Sequence, residues 1–140
     1  MKLSDAIREG CENSGQSFGR LWRDDEGNYK TCVLGAIMDA HGVGSKNFTG
    51  LRVIRTSFPV LMLSVRECPV GCSLSYMNVN TYNIKAMIDP SDFRLRDVMV
   101  HLNNHHKWSR EKIAGWIDEF AFEKSEQKSQ PQKSELTTIQ

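Results

Sequence analysis

Apolar residues form helical stripes near both ends of the chain and denser, less periodic runs between them. Leu3, Ile7 and Cys11 recur every fourth position, which predicts a first helix from Ser4 to about Glu12 with Ser4 as its cap. The polar stretch "ENSGQS" ends it. In "FGRLWRDDEGNYKTCV", Phe18 and Trp22 stand on one side of a turn-forming "DDEG" and Tyr29 on the other, which predicts a short β-hairpin. Thr31 is then placed to cap a second helix, "CVLGAIMDA", whose Val33, Leu34, Ile37 and Met38 cluster toward a core and which Gly42 stops.

The middle is less regular. "GVGSKNFTG" reads as a loop. "LRVIRTSFPVLMLSV" is rich in β-branched and large apolar residues and reads as one or two strands broken or edged by Pro59. "YMNVNTYNI" alternates loosely at Tyr76, Val79, Tyr82 and Ile84 and reads as another strand. The last third is periodic again. Pro90, with Asp89 or Ser91 as cap, opens a helix in which Leu95, Val98, Met99 and Leu102 follow i, i+3, i+4, i+7 spacing. Ser109 caps a last helix carrying Ile113, Trp116, Ile117 and Phe120, with Trp108 and Ile113 as a hydrophobic staple.

These elements predict an α+β fold, a small antiparallel sheet packed with helices and closed by a C-terminal helical hairpin. One domain spans 1–122, and the aperiodic 123–140 is expected to be a polar, disordered tail. At 140 residues the chain can bury a core without staples. With 18 basic and 17 acidic residues it lacks the excess positive charge of a protein held mainly by phosphates. No apolar run is long enough to span a bilayer, and the N-terminus lacks a signal-peptide core, so a cytoplasmic protein with reduced cysteines is expected.

Chemistry concentrates in "HLNNHHKWSREKIAGWI", which holds three of the four histidines and two of the three tryptophans. His101 and His105 at i, i+4 share a helix face, and Cys68 and Cys72 in "CPVGC" supply two sulfurs on a short loop, a donor set that suits zinc. The plainer reading makes the histidines a solvated turn between helices. A helix-turn-helix is disfavoured by the long turn and by the mixed charge of Arg110, Glu111, Lys112, Asp118 and Glu119 on the last helix. Arg52, Arg55 and Arg66, with Arg94 and Arg96, could gather as a basic face with Tyr76 and Tyr82 as stacking partners, although Asp24, Asp25 and Glu26 balance them. Cys32 at a helix start is the one candidate nucleophile, but its apolar neighbours suit a buried thiol. No phosphate loop, G-x-S-x-G or H-E-x-x-H motif is present.

The blocks "LSDAIREG", "CVLGAIMDA" and "HLNNHHKWSREKIAGWI" resemble a set of small uncharacterised proteins of bacteriophages and related bacterial genomes. Those combine an L-S-x-A-I-R-x-G start, a C-x-L-G-A helix, a cysteine-proline motif and an L-N-x-x-H-x-W-S-R-E-x-I-A-x-W end. Their middle motif is often C-P-x-C, and "ECPVGCS" has one more residue between its cysteines. The resemblance implies a phage or mobile-element setting and assigns no biochemical activity.

The leading expectation is a small phage-type, non-enzymatic protein without a cofactor that binds and inhibits or modulates a host protein or complex, such as an anti-defence inhibitor or a modulator of transcription machinery. Trp22, Arg52, Arg55 and Arg66 are its expected anchors, since aromatic and arginine side chains dominate interface energy. Nucleic acid is the less favoured partner, and no membrane is involved. The alternatives are a zinc-stabilised nucleic-acid-binding module built on Cys68, Cys72, His101 and His105, and a cysteine-dependent enzyme.

Overall fold

Residues 1–47, 49–71 and 93–120 are described by the structure, a computed structural model. The first stripe folds as helix α1 (Leu3–Asn13), burying Leu3, Ala6, Ile7 and Gly10 along one side. Its N-cap is Lys2 rather than Ser4. Ser4 lies inside the first turn, buried, and its hydroxyl donates to Asp118 Oδ1 far along the chain. Gly10 is where the next long helix crosses: a Cβ at this position would meet the Ala36 carbonyl oxygen at 2.2 Å. Only glycine permits that backbone approach.

Three short strands follow, β1 (Gly15–Gln16), β2 (Trp22–Asp25) and β3 (Asn28–Thr31), in the order β1-β3-β2. The expected hairpin is β2–β3, with Asp25 opposite Asn28 and Trp22 opposite Thr31. Its two turn residues, Glu26 and Gly27, have φ of 54° and 86°. Positive φ at both positions matches the right-handed twist of the flanking strands. β1 pairs with β3 in parallel, so the sheet is mixed where an antiparallel one was expected. The chain reverses twice after β1, and β3 returns in β1's direction to slot between the other two strands.

Helix α2 (Val33–Ala40) is buried from Val33 to Met38, with Cys32 at its N-cap one residue after the expected Thr31. Gly42, at φ 81°, turns the chain away from its end. The middle departs from the expected strands. Thr49–Ser57 is helix α3 and Pro59–Met62 a 3-10 turn. Gly50, Ile54, Phe58 and Leu61 are the buried positions, a helical spacing that overrides the β-branched composition. Pro59 sits at the start of its turn, where a missing N–H costs nothing.

Leu63–Val65 then runs antiparallel to Phe93–Leu95. Val65 N donates to Phe93 O at 2.9 Å and Leu95 N to Leu63 O at 2.8 Å. Helix α4 (Leu95–Asn104) buries the expected Leu95, Val98, Met99 and Leu102. Asp97 accepts from Arg94 N at 2.9 Å and closes its N-terminus. The caps expected at Asp89, Pro90 and Ser91, and the strand expected over 76–84, lie outside the described residues. Helix α5 (110–120) begins after Ser109, whose Oγ accepts from Lys112 N at 3.1 Å, as expected for a cap. Trp108 packs on the core, of which Ile113 is a buried member. The fold is α+β, with five helices and a three-stranded sheet among the described residues and α4–α5 as the C-terminal hairpin. One apolar core runs from Leu3 to Ile117. No helix among the described residues is long and apolar enough to cross a membrane.

Candidate functional site

Two places on this frame hold the residues of interest, and α4 contributes to both. At the C-terminal end of α4, His101 lies in the final turns, and the helix stops at Asn104. The His101 carbonyl accepts from both His105 N (2.9 Å) and His106 N (3.3 Å), so the chain tightens as it leaves the helix. Lys107 then takes φ 56°, and Trp108 N returns to Leu102 O at 3.0 Å. This fold-over carries His106, rather than His105, against the partner loop.

That loop carries Cys68. The ladder between Leu63–Val65 and Phe93–Leu95 fixes its approach, and Cys68-Pro69-Val70-Gly71 makes a turn closed by Gly71 N to Cys68 O at 2.8 Å. Proline after the first turn position and glycine at the last are the residues such a turn favours. Gly71 itself has φ 91°. The outcome is one ligand-capable atom from each of Cys68, His101 and His106, all within 4.8 Å of one another. Cys68 Sγ lies 3.6 Å from His106 Nε2.

The three imidazoles crowd. His101 stacks on His105 at 5.1 Å between ring centroids, and His106 stands edge-on to both, at 4.7 Å from His101 and 4.8 Å from His105. Burial, with smaller contributions from His106 and His105, pushes His101 down to about 4, and burial followed by His105 lowers His106. Neutral imidazoles are the forms such crowding favours. Cys68 is buried, only 3% exposed, so its thiol is shielded from any substrate in solution. The trio shares Cys68 and His101 with the expected zinc set. His106 takes the place of His105, which is exposed, and Cys72 lies outside the described residues.

An open groove of about 1040 Å³ lies between β2, α2, the start of α3 and α4. Leu21, Leu34, Leu51 and Val100 line it with apolar surface, and Arg20, Trp22, Arg23 and Lys46 bring aromatic and cationic groups. Trp22 is 36% exposed, with Lys46 Nζ 4.8 Å from its ring centroid, a cation–π contact. Lys46 follows a loop anchored by Asp39, which accepts from Tyr29 Oη at 3.0 Å and from Ser45 N at 2.7 Å. Tyr29 also bonds to the Ser45 hydroxyl.

The other expected anchors lie elsewhere. Arg52 and Arg55 are on α3 and Arg66 is on the Cys68 loop, and none of them lines the groove. Arg94 is spent on Met62 O and Ser64 Oγ, each at 3.2 Å, and Arg96 lies 3.6 Å from Asp97. Tyr76 and Tyr82 lie outside the described residues. Cys32 is buried at the groove's floor, and burial pushes its thiol above the ordinary cysteine value, the reverse of an activated nucleophile.

Two further residues join the elements around this frame: Asn103, and Arg110, which the sequence offered only as a surface charge. Asn103 donates to Ser17 O (2.9 Å), while its Oδ1 accepts from Gln16 Nε2 (2.9 Å) and from Val33 N (3.2 Å) at the start of α2. Arg110, 6% exposed, donates to Ser14 O at 2.6 Å and to Thr31 Oγ1 at 3.0 Å. A sequence signal for both existed. Asn103 is four residues after Met99, and Arg110 three before Ile113, so each polar side chain stands in an apolar stripe.

No family model matches the chain, and no curated protein or solved structure matches it.

Proposed function

We propose that the protein is a non-enzymatic binding protein that captures a macromolecular partner in the groove beside Trp22. The single observation that carries this reading is the groove itself. It joins an apolar floor to an exposed tryptophan and three cations, the combination on which interface energy concentrates. The resemblance to phage proteins supplies the class of partner, a host protein or complex whose action is inhibited or modulated. Asp24 and Asp25 on the same rim oppose a phosphate backbone, which favours a protein over nucleic acid. Cys32, buried with its thiol pushed up, gives the enzymatic alternative no support.

The test is capture from host extract on immobilised protein, repeated with Trp22→Ala and, as a control away from the groove, Arg52→Glu. The reading expects one dominant partner, bound roughly thirtyfold more weakly by Trp22→Ala, as for a hot-spot residue worth about 2 kcal/mol. Arg52→Glu retains it. A partner that Trp22→Ala holds as well as the parent, or no partner at all, would reject the groove as the binding surface.

A further inference from the structure

We propose that Cys68, His101 and His106 form a zinc site that ties the Cys68 loop to the C-terminal end of α4. This goes beyond partner capture and does not depend on it.

The geometry comes first. Zinc bonds of about 2.3 Å to sulfur and about 2.0–2.1 Å to nitrogen, at tetrahedral angles, put a ligand sulfur about 3.6 Å from a ligand nitrogen. Cys68 Sγ and His106 Nε2 stand 3.6 Å apart. The whole trio fits within 4.8 Å. The same calculation puts two ligand nitrogens about 3.3 Å apart, so rotamer adjustments within rings already in contact close the set.

Chemistry comes second. A thiolate with two imidazoles is a borderline-soft donor set, which selects zinc and its neighbours over calcium or magnesium. Placement points the same way. Cys68 opens a turn held by its own carbonyl, and His101 is in a helix. His106 is held by the fold-over that returns His106 N to His101 O and Trp108 N to Leu102 O. Main-chain hydrogen bonds thus hold all three donors in the protein alone, and an ion would add a cross-link between segments 33 and 38 residues apart in sequence (101 − 68 and 106 − 68). Three donors among the described residues leave one tetrahedral position to a further ligand.

The experiment uses the full chain, purified without a histidine tag. Zinc and copper are measured in the protein as isolated, after which the metal is removed and cobalt(II) is titrated in as a spectroscopic substitute. The expected result is one zinc per chain and, with cobalt, a near-ultraviolet thiolate-to-metal band that saturates at one equivalent. Cys68→Ser abolishes the band. His106→Gln weakens metal binding more than roughly tenfold, the lower end even for residues that merely support ligands. His105→Gln changes it less than roughly threefold, as expected for a residue outside the site.

Wild-type protein that takes up neither zinc nor cobalt would overturn the site, a result that requires no variant to fold. So would a thiolate band that persists in Cys68→Ser, or His105→Gln weakening binding as much as His106→Gln. Copper in place of zinc, with the intense visible absorption of a copper–thiolate bond, would overturn the choice of metal.

Discussion

The last turn of α4 carries two polar clusters of opposite character. On one side, Asn103 and the nearby Arg110 spend their hydrogen-bonding groups on carbonyls, hydroxyls and amides of β1, β3 and α2. On the other, His101 and His106 meet a thiol and one another. A buried amide or guanidinium matched to main-chain groups stabilises because leaving those groups unmatched is costly. Soft, titratable groups placed tip to tip gain little from one another and much from a shared cation. The first cluster explains why the elements stay where they are, and the second is where the zinc proposal can be tested.

This contrast can be broken from either side. The largest effect is expected from Arg110→Met, which removes the donors to Ser14 O and to the Thr31 hydroxyl and leaves that hydroxyl only Ser14 Oγ as partner. Urea unfolding should show a loss of about 3 kcal/mol, the upper end for hydrogen bonds made by a charged group. Metal content should remain at one per chain. Next comes chelation: with free zinc at a hundred times the dissociation constant, the bound ion adds about 2.7 kcal/mol. Removing it should lower the wild-type midpoint accordingly and leave Cys68→Ser unmoved. Asn103→Ala should cost about 2 kcal/mol through Val33 N and Ser17 O. A loss that also removed metal would show that the two clusters are not separable.

The smallest effect concerns pH and a third cluster. Burial first, then the hydrogen bond to Asp39, raises the Tyr29 phenol above its ordinary value. A raised folded-state value gives stability that is fully present below the unfolded value of about 10 and is lost as pH rises above it. Wild-type stability should therefore fall beyond about pH 10 more steeply than that of Tyr29→Phe, as read from urea midpoints across that range.

Much of this arrangement was legible in the chain. The stripes of α1, α2, α4 and α5, the hairpin turn and the Ser109 cap follow from local periodicity and turn chemistry. α3 was not, because Val53, Ile54 and Thr56 bias composition toward strand while only the packed face shows that Ile54 and Phe58 go inward. The parallel pairing of β1 was hidden as well, since two residues carry no periodicity. In the candidate site, Cys68 and His101 were readable from donor type. His106 was not: i, i+4 spacing points to His105, and only the end of the helix at Asn104 redirects the next residue. Trp22 was readable as an exposed aromatic. Lys46, which completes its rim, comes from a loop whose path depends on Asp39 and Tyr29.

The bonds between α1 and α5 set an order of events during synthesis. Arg8 reaches Glu111 at 2.9 Å and Asp118 at 3.3 Å, and Ser4 binds Asp118 across 114 positions. Until the ribosome has released residue 118, one flank of the first helix has no counterpart. Until Arg110 emerges, the sockets at Ser14 and Thr31 stay open. Contacts this distant in sequence slow the final folding step, since the long loop must close before any of them forms. A nascent chain paused short of α5 would be collapsed but unlatched, and vulnerable to proteases for as long as the pause lasted.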